Sequence, residues 1–140
     1  MQDETYAYFL AFGYAVESSV VTGLLGLEPT QVFVAGQPKP GAPKVVSREN
    51  LWQLHSPLPR SACAEAHIEA LLDLLESRSK AIALLVDVHH AKIGINCAIY
   101  YQDFMPGIHL SPDLIGRAAS LGLHLDLDLY FFGEEERAQE

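Results

Sequence analysis

The sequence predicts an α+β fold: a mostly antiparallel sheet with helices packed on one face, in a ferredoxin-like or doubled βαβ-type arrangement. Three observations carry this. Residues 124–130 alternate strictly, with His124, Asp126, Asp128 and Tyr130 on one side and Leu125, Leu127 and Leu129 on the other, which is a strand with one buried and one open face. A strand, helix, Leu-Gly-Leu, strand plan occurs near both ends, through Leu25-Gly26-Leu27 and Leu121-Gly122-Leu123. Between them, residues 62–79 place Ala64, Ile68, Leu71, Leu72 and Leu75 on one helical face and Glu65, Glu69, Asp73 and Glu76 towards the other.

Taken in order, Thr5 to Tyr14 is rich in Tyr, Phe and Ala and reads as a long central strand. Glu17-Ser18-Ser19 opens a helix with Val20, Val21, Leu24 and Leu25 on its buried side, and Gly26 ends it. Gln31 to Ala35 is a second strand. Gly36 to Asn50 reads as a long surface loop holding Pro38, Pro40, Gly41 and Pro43 with the basic residues Lys39, Lys44 and Arg48. Leu51 to His55 is a short strand with the only tryptophan, and Ser61 is expected to cap the long helix. Ile82 to His89 and Ile93 to Tyr101 both alternate, which predicts a hairpin turning at residues 90–92. Ile108-His109-Leu110 reads as a short strand. Ser111 then caps a helix that begins at Pro112, where a missing N–H costs nothing, with Asp113 beside the positive end of its dipole. Leu114, Ile115, Ala118, Ala119 and Leu121 form its apolar stripe. Gly133 to Glu140 is expected to be a frayed acidic tail.

At 140 residues the chain is expected to be a single α+β domain, large enough to bury a core without staples. Its formal net charge of −9 argues against binding nucleic acid or an acidic membrane and favours a basic protein partner. Cys63 and Cys97 are too few for a disulfide framework. The start, Met1-Gln2-Asp3-Glu4, is acidic where a signal peptide is basic, and the apolar run from Tyr6 to Val16 is too short to span a bilayer, so a cytoplasmic location is expected.

Leu24-Leu25-Gly26-Leu27-Glu28-Pro29-Thr30 followed by Gly36, then Trp52-Gln53-Leu54, Leu71 to Glu76, Leu121-Gly122 and Asp128-Leu129-Tyr130, resemble in order the segments of the bacterial domain of unknown function 4279 family. The resemblance covers nearly the whole chain. Val32-Phe33-Val34-Ala35 departs from it, standing where members often carry a basic, aromatic stretch. It implies no activity; what it implies is an immunity-like role towards a bacterial toxin.

With helices over the Ile/Leu/Val side, the opposite sheet face is expected to carry Asp87, His89, Asn96, Tyr100, His124, Asp126, Asp128 and Tyr130. Tyr100, His124, Asp126, Asp128 and Tyr130 are the expected binding residues, since aromatics supply contact area and carboxylates supply complementarity to a basic surface. The same face is suited to a homodimer. Asp87, His89, His124 and Asp126 are the candidates for a metal, as imidazole with carboxylate suits zinc, but strand neighbours on one face stand roughly 7 Å apart and no dedicated ligand spacing occurs. No cofactor is expected. GxSxG, HExxH, Walker-type and GxGxxG patterns are missing, so a non-catalytic binding protein is the leading expectation. A metal- or small-molecule-binding protein or a hydrolase using the His/Asp face is the alternative. Cys63 near a helix start is a weak nucleophile candidate without an oriented base, and Cys97 is expected in the core.

Overall fold

Along Glu4–Phe12 (β1), small or apolar Ala7, Phe9 and Ala11 alternate with Glu4, Tyr6 and Tyr8, so the two faces of this strand differ in chemistry from the start. The computed structural model describes residues 3–132 and places β1 at the centre of a five-stranded sheet. The remaining elements are α1 (Ser18–Leu25), β2 (Gln31–Phe33), β3 (Pro38–Lys39), β4 (Ala42–Val46), β5 (Leu51–His55), α2 (Ala64–Leu75), α3 (Ser79–Asp87), β6 (Lys92–Tyr101), α4 (Pro112–Ser120) and β7 (His124–Phe131), with a 3₁₀ turn at Glu76–Arg78 joining α2 to α3. The tail expected from Gly133 to Glu140 lies outside the described residues.

The sheet order is β2-β5-β1-β6-β7. β1 pairs antiparallel with β5 and β6, β5 pairs antiparallel with β2, and β6–β7 is the parallel pair. β1-α1-β2, with β5 inserted between the two strands and β6 on the far side of β1, form the split βαβ arrangement of a ferredoxin-like fold. β6-α4-β7 then adds one parallel strand through a helical crossover, as parallel neighbours require. The core lies between this sheet and the helices. Phe9, Trp52, Ile95 and Cys97 from the strands meet Val21, Ile68, Leu71, Leu72, Ile82, Leu85 and Leu114 from the helices.

Several local expectations hold for local reasons. The Ser111 Oγ accepts from the Leu114 amide at 3.2 Å, with Pro112 opening α4. Gly26 ends α1 at φ 67, a left-handed conformation that a side chain disfavours.

Other expectations are corrected. Residues 82–89 are not a strand. They are α3 and its exit, and no 82–89/93–101 hairpin forms. An apolar run such as Ile82 to Val88 satisfies a period of two and a period of 3.6 at once. The choice is made elsewhere: β6 has both its edges taken, by β1 from Lys92 to Tyr100 and by β7 from Gly94 to Tyr101, which leaves no edge for a hairpin partner. Ile82 and Leu85, one helical turn apart, are buried, and His90 at φ 57 turns the chain out of the helix. Arg78 holds the junction by donating to the carbonyls of Leu25 and Leu74, each at 2.7 Å. Residues 108–110 form no strand; Ile108 and Leu110 pack against the core as extended chain before α4. The expected long loop contains the β3–β4 hairpin, with Gly41 at φ 79 between its strands. Cys63, not Ser61, is the residue before α2, and no side chain caps that helix.

Candidate binding face of the sheet

Alternation sends the even-numbered residues of β1, β6 and β7 to the sheet face away from the core. Register then brings residues distant in sequence side by side. Tyr6 stands opposite Ala98, Tyr8 opposite Asn96 and His55, and Tyr100 opposite Tyr130. The Tyr100 and Tyr130 rings stack with centroids 4.8 Å apart and 18° between planes, Phe132 adds a further stacked ring at 5.6 Å, and Tyr6 meets Tyr100 edge-on at 5.6 Å. The ring arrangements are those that aromatic quadrupoles favour. Together Glu4, Tyr6, Tyr8, His55, Ala98, Tyr100, Asp128, Tyr130 and Phe132 line an open hollow of about 520 Å³, a volume in the usual range for ligand sites.

Charge is arranged around these rings. The Tyr6 hydroxyl donates to the Glu4 Oε2 at 2.6 Å. That bond holds the Tyr6 phenol above its ordinary range, so it stays a donor. The Arg60 guanidinium carbon lies 4.4 Å above the centre of the Tyr6 ring, the geometry of a cation–π contact. Burial holds the His55 imidazole below its ordinary value, so its neutral form is favoured.

A second hollow of about 260 Å³ lies farther along the same face, lined by Leu10, Phe12, Glu49, Leu51, Asn96, His124 and Asp126. His124 occupies space that only glycine leaves open: a Cβ on Gly94, its register partner, would meet the imidazole Nε2 at 2.1 Å. The His124 Nε2 also lies 3.4 Å from the Asp126 carboxylate.

Residues 3–132 match the family described as a domain of unknown function (DUF4279). The chain belongs to that family. No curated protein and no solved structure matches it. The DUF4279 description names no activity, so any function must be argued from the face itself.

The five expected binding residues of this DUF4279 chain all lie on this face, divided between its two hollows. Tyr100, Asp128 and Tyr130 line the larger one, His124 and Asp126 the smaller. Asp87 and His89 are not there. Asp87 ends α3 and His89 follows it, in the helical layer, because residues 82–89 are helical. The metal candidates are therefore not gathered: among the described residues no group of three or more His, Cys, Asp or Glu is placed to hold an ion. No helix of the described residues is long and apolar enough to cross a membrane. Both cysteines are free. Cys63 is exposed, while Cys97 is buried and its thiol is pushed up to about 12 by that burial.

Sequence reasoning missed Glu4, Tyr6, Tyr8, His55, Arg60, Phe132 and Gly94. The signal for the β1 residues was present, since Glu4-Tyr6-Tyr8 alternates with Thr5-Ala7-Phe9. What was not legible is that β1 lies beside β6.

A third cavity of about 220 Å³ adjoins the tyrosine hollow, lined by Thr5, Tyr6, Ala7, Tyr8, His55, Ser56, Leu58, Arg60 and His67. The buried His67 shares a 2.7 Å hydrogen bond between Nδ1 and the Ser56 Oγ. Burial lowers its affinity for a proton below the ordinary value of 6.5. The unfolded chain therefore takes up the proton first as pH falls. The stability that depends on a neutral His67 is complete above pH 6.5 and declines as pH drops through 6.5 towards the lower folded value. Urea unfolding between about pH 7.5 and 5.5 is expected to show a shallower loss of stability in His67→Gln than in the unaltered chain. Identical slopes would show that His67 does not titrate differently on folding. His55 shifts in the same direction and accounts for a remaining slope.

Proposed function

We propose that this DUF4279 chain is a non-catalytic binding module whose open sheet face docks a basic protein, an immunity-like role if that partner is a toxin domain. The observation that carries this reading is the wall of Tyr6, Tyr8, Tyr100, Tyr130 and Phe132 around an open hollow edged by Glu4 and Asp128. Rings of this kind offer rigid contact area at low entropic cost, and carboxylates beside them select a cationic partner. Arg60 on Tyr6 is an example within the chain of a guanidinium seated on this surface. The net charge of −9 supports the same reading, because it steers basic partners towards the protein.

The test is a titration of the purified chain against the partner captured from its native lysate, at low and high salt, for the unaltered protein and for Asp128→Lys. One-to-one binding that weakens with salt, and at least about tenfold with Asp128→Lys, is expected. Binding insensitive to both changes would remove the open face from consideration. Light scattering on the isolated chain separates this outcome from a homodimer formed through the same face.

A further inference from the structure

The tyrosine hollow does not end at its rim. It shares Tyr6, Tyr8 and His55 with the neighbouring cavity, so the two form one trough with a common wall. Their electrostatics are opposite. The charged residues lining the larger part are Glu4 and Asp128, whereas the charged residue lining the smaller part is Arg60. Among the described residues, Arg60 pairs with no carboxylate; its guanidinium carbon lies 4.4 Å over the Tyr6 ring. Beside it stand the Ser56 hydroxyl and the buried His67, whose Nδ1 bonds that hydroxyl at 2.7 Å.

We infer that the trough receives the C-terminal residue of a basic polypeptide, its cationic side chain among the tyrosines beside Glu4 and Asp128 and its terminal carboxylate on Arg60. This rests on the reading of a basic protein partner and specifies which part of it enters. A ligand carrying both charges satisfies both ends of the trough. A basic residue within a chain brings no carboxylate and leaves Arg60 unpaired when the face is covered, which is costly for a group removed from water. A carboxylate can also accept two parallel bonds from a guanidinium, fixing direction as well as charge. Cation–π contact with two or more rings serves the other end.

Calorimetric titration with short N-acetylated peptides tests this. Three peptides share one sequence: one ends in arginine with a free carboxylate, one in arginine amide, one in citrulline with a free carboxylate. The first is expected to bind at least about tenfold more tightly than either of the others. Arg60→Gln is expected to abolish the preference for the free carboxylate, so that acid and amide bind equally. Arg60 is exposed, and Ser56→Ala supplies a second variant with a smaller loss in the same direction. Equal binding of acid and amide would overturn the inference and leave docking of internal basic residues intact. Binding of neither peptide would also overturn it, and the salt and Asp128→Lys titration of the captured partner would then decide separately whether the face docks a protein. Free arginine binding as tightly as the peptide would overturn the assignment to a polypeptide terminus.

Discussion

Trp52→Ala is expected to lower the unfolding free energy by about 3–5 kcal/mol, measured by urea denaturation with an unchanged dependence on denaturant. Trp52 is fully buried in β5, with Ala11 and Val32 as its register partners on either side. Its indole meets Phe9 edge-on with ring centroids 5.9 Å apart. The indole N–H donates to the Thr22 Oγ1 at 3.0 Å, and that hydroxyl donates onward to the Ser18 carbonyl at 3.3 Å. Truncation therefore removes the contact between β5 and α1 and leaves a cavity that strands paired on both sides cannot close. The polar part separates from the packing part through Thr22→Val, which keeps the shape but leaves a buried indole N–H unpaired. A loss of about 1–3 kcal/mol is expected there. If Trp52→Ala costs under about 1 kcal/mol, the indole is not a core residue and the placement of α1 over β5 is wrong.

Tyr100→Ala is expected to weaken binding of the proposed basic partner by at least about 2 kcal/mol, roughly thirtyfold, with a smaller effect on stability. Tyr100 is the ring that the others share. It stacks on Tyr130 and Phe132 and receives Tyr6 at its edge, so its loss disperses the wall rather than removing one contact. It is only half-buried and faces away from the core, which spares the fold. Tyr100→Phe should retain most of the affinity, because the stacking area remains. Full binding by Tyr100→Ala, with stability unchanged, would place the partner elsewhere on the protein.

The ion pairs of Arg117 join two helices and include no residue of the tyrosine hollow. Its guanidinium bridges α4 to the end of α2 through Glu76 and Asp73, the latter at 2.6 Å. Those carboxylates hold the guanidinium above its already high ordinary value. A guanidinium is charged at every accessible pH in any case, and the exposed carboxylates make the bridge a modest tie between helices.

What the sequence by itself determined are the features written in neighbouring residues. The alternation from His124 to Tyr130, the Ser111-Pro112 helix start, the stops at Gly26 and Gly122, the family and the gathering of helices over the aliphatic face are of this kind. So is the membership of Tyr100, Asp128 and Tyr130 in one face, since two adjacent residues of opposite polarity already state which way each points. Only the tertiary structure decided whether Ile82 to Val88 is helix or strand, because both periods fit the run and the decision lay with the pairing of β6. It also decided that Asp87 and His89 leave the face, and that Tyr6, Tyr8, His55 and Arg60 join it. Glu4 pairs with Tyr100, about two thirds of the chain away. No local period encodes such a neighbour; it follows from which long-range pairing buries the most apolar surface while giving β5, β1 and β6 a partner on both sides.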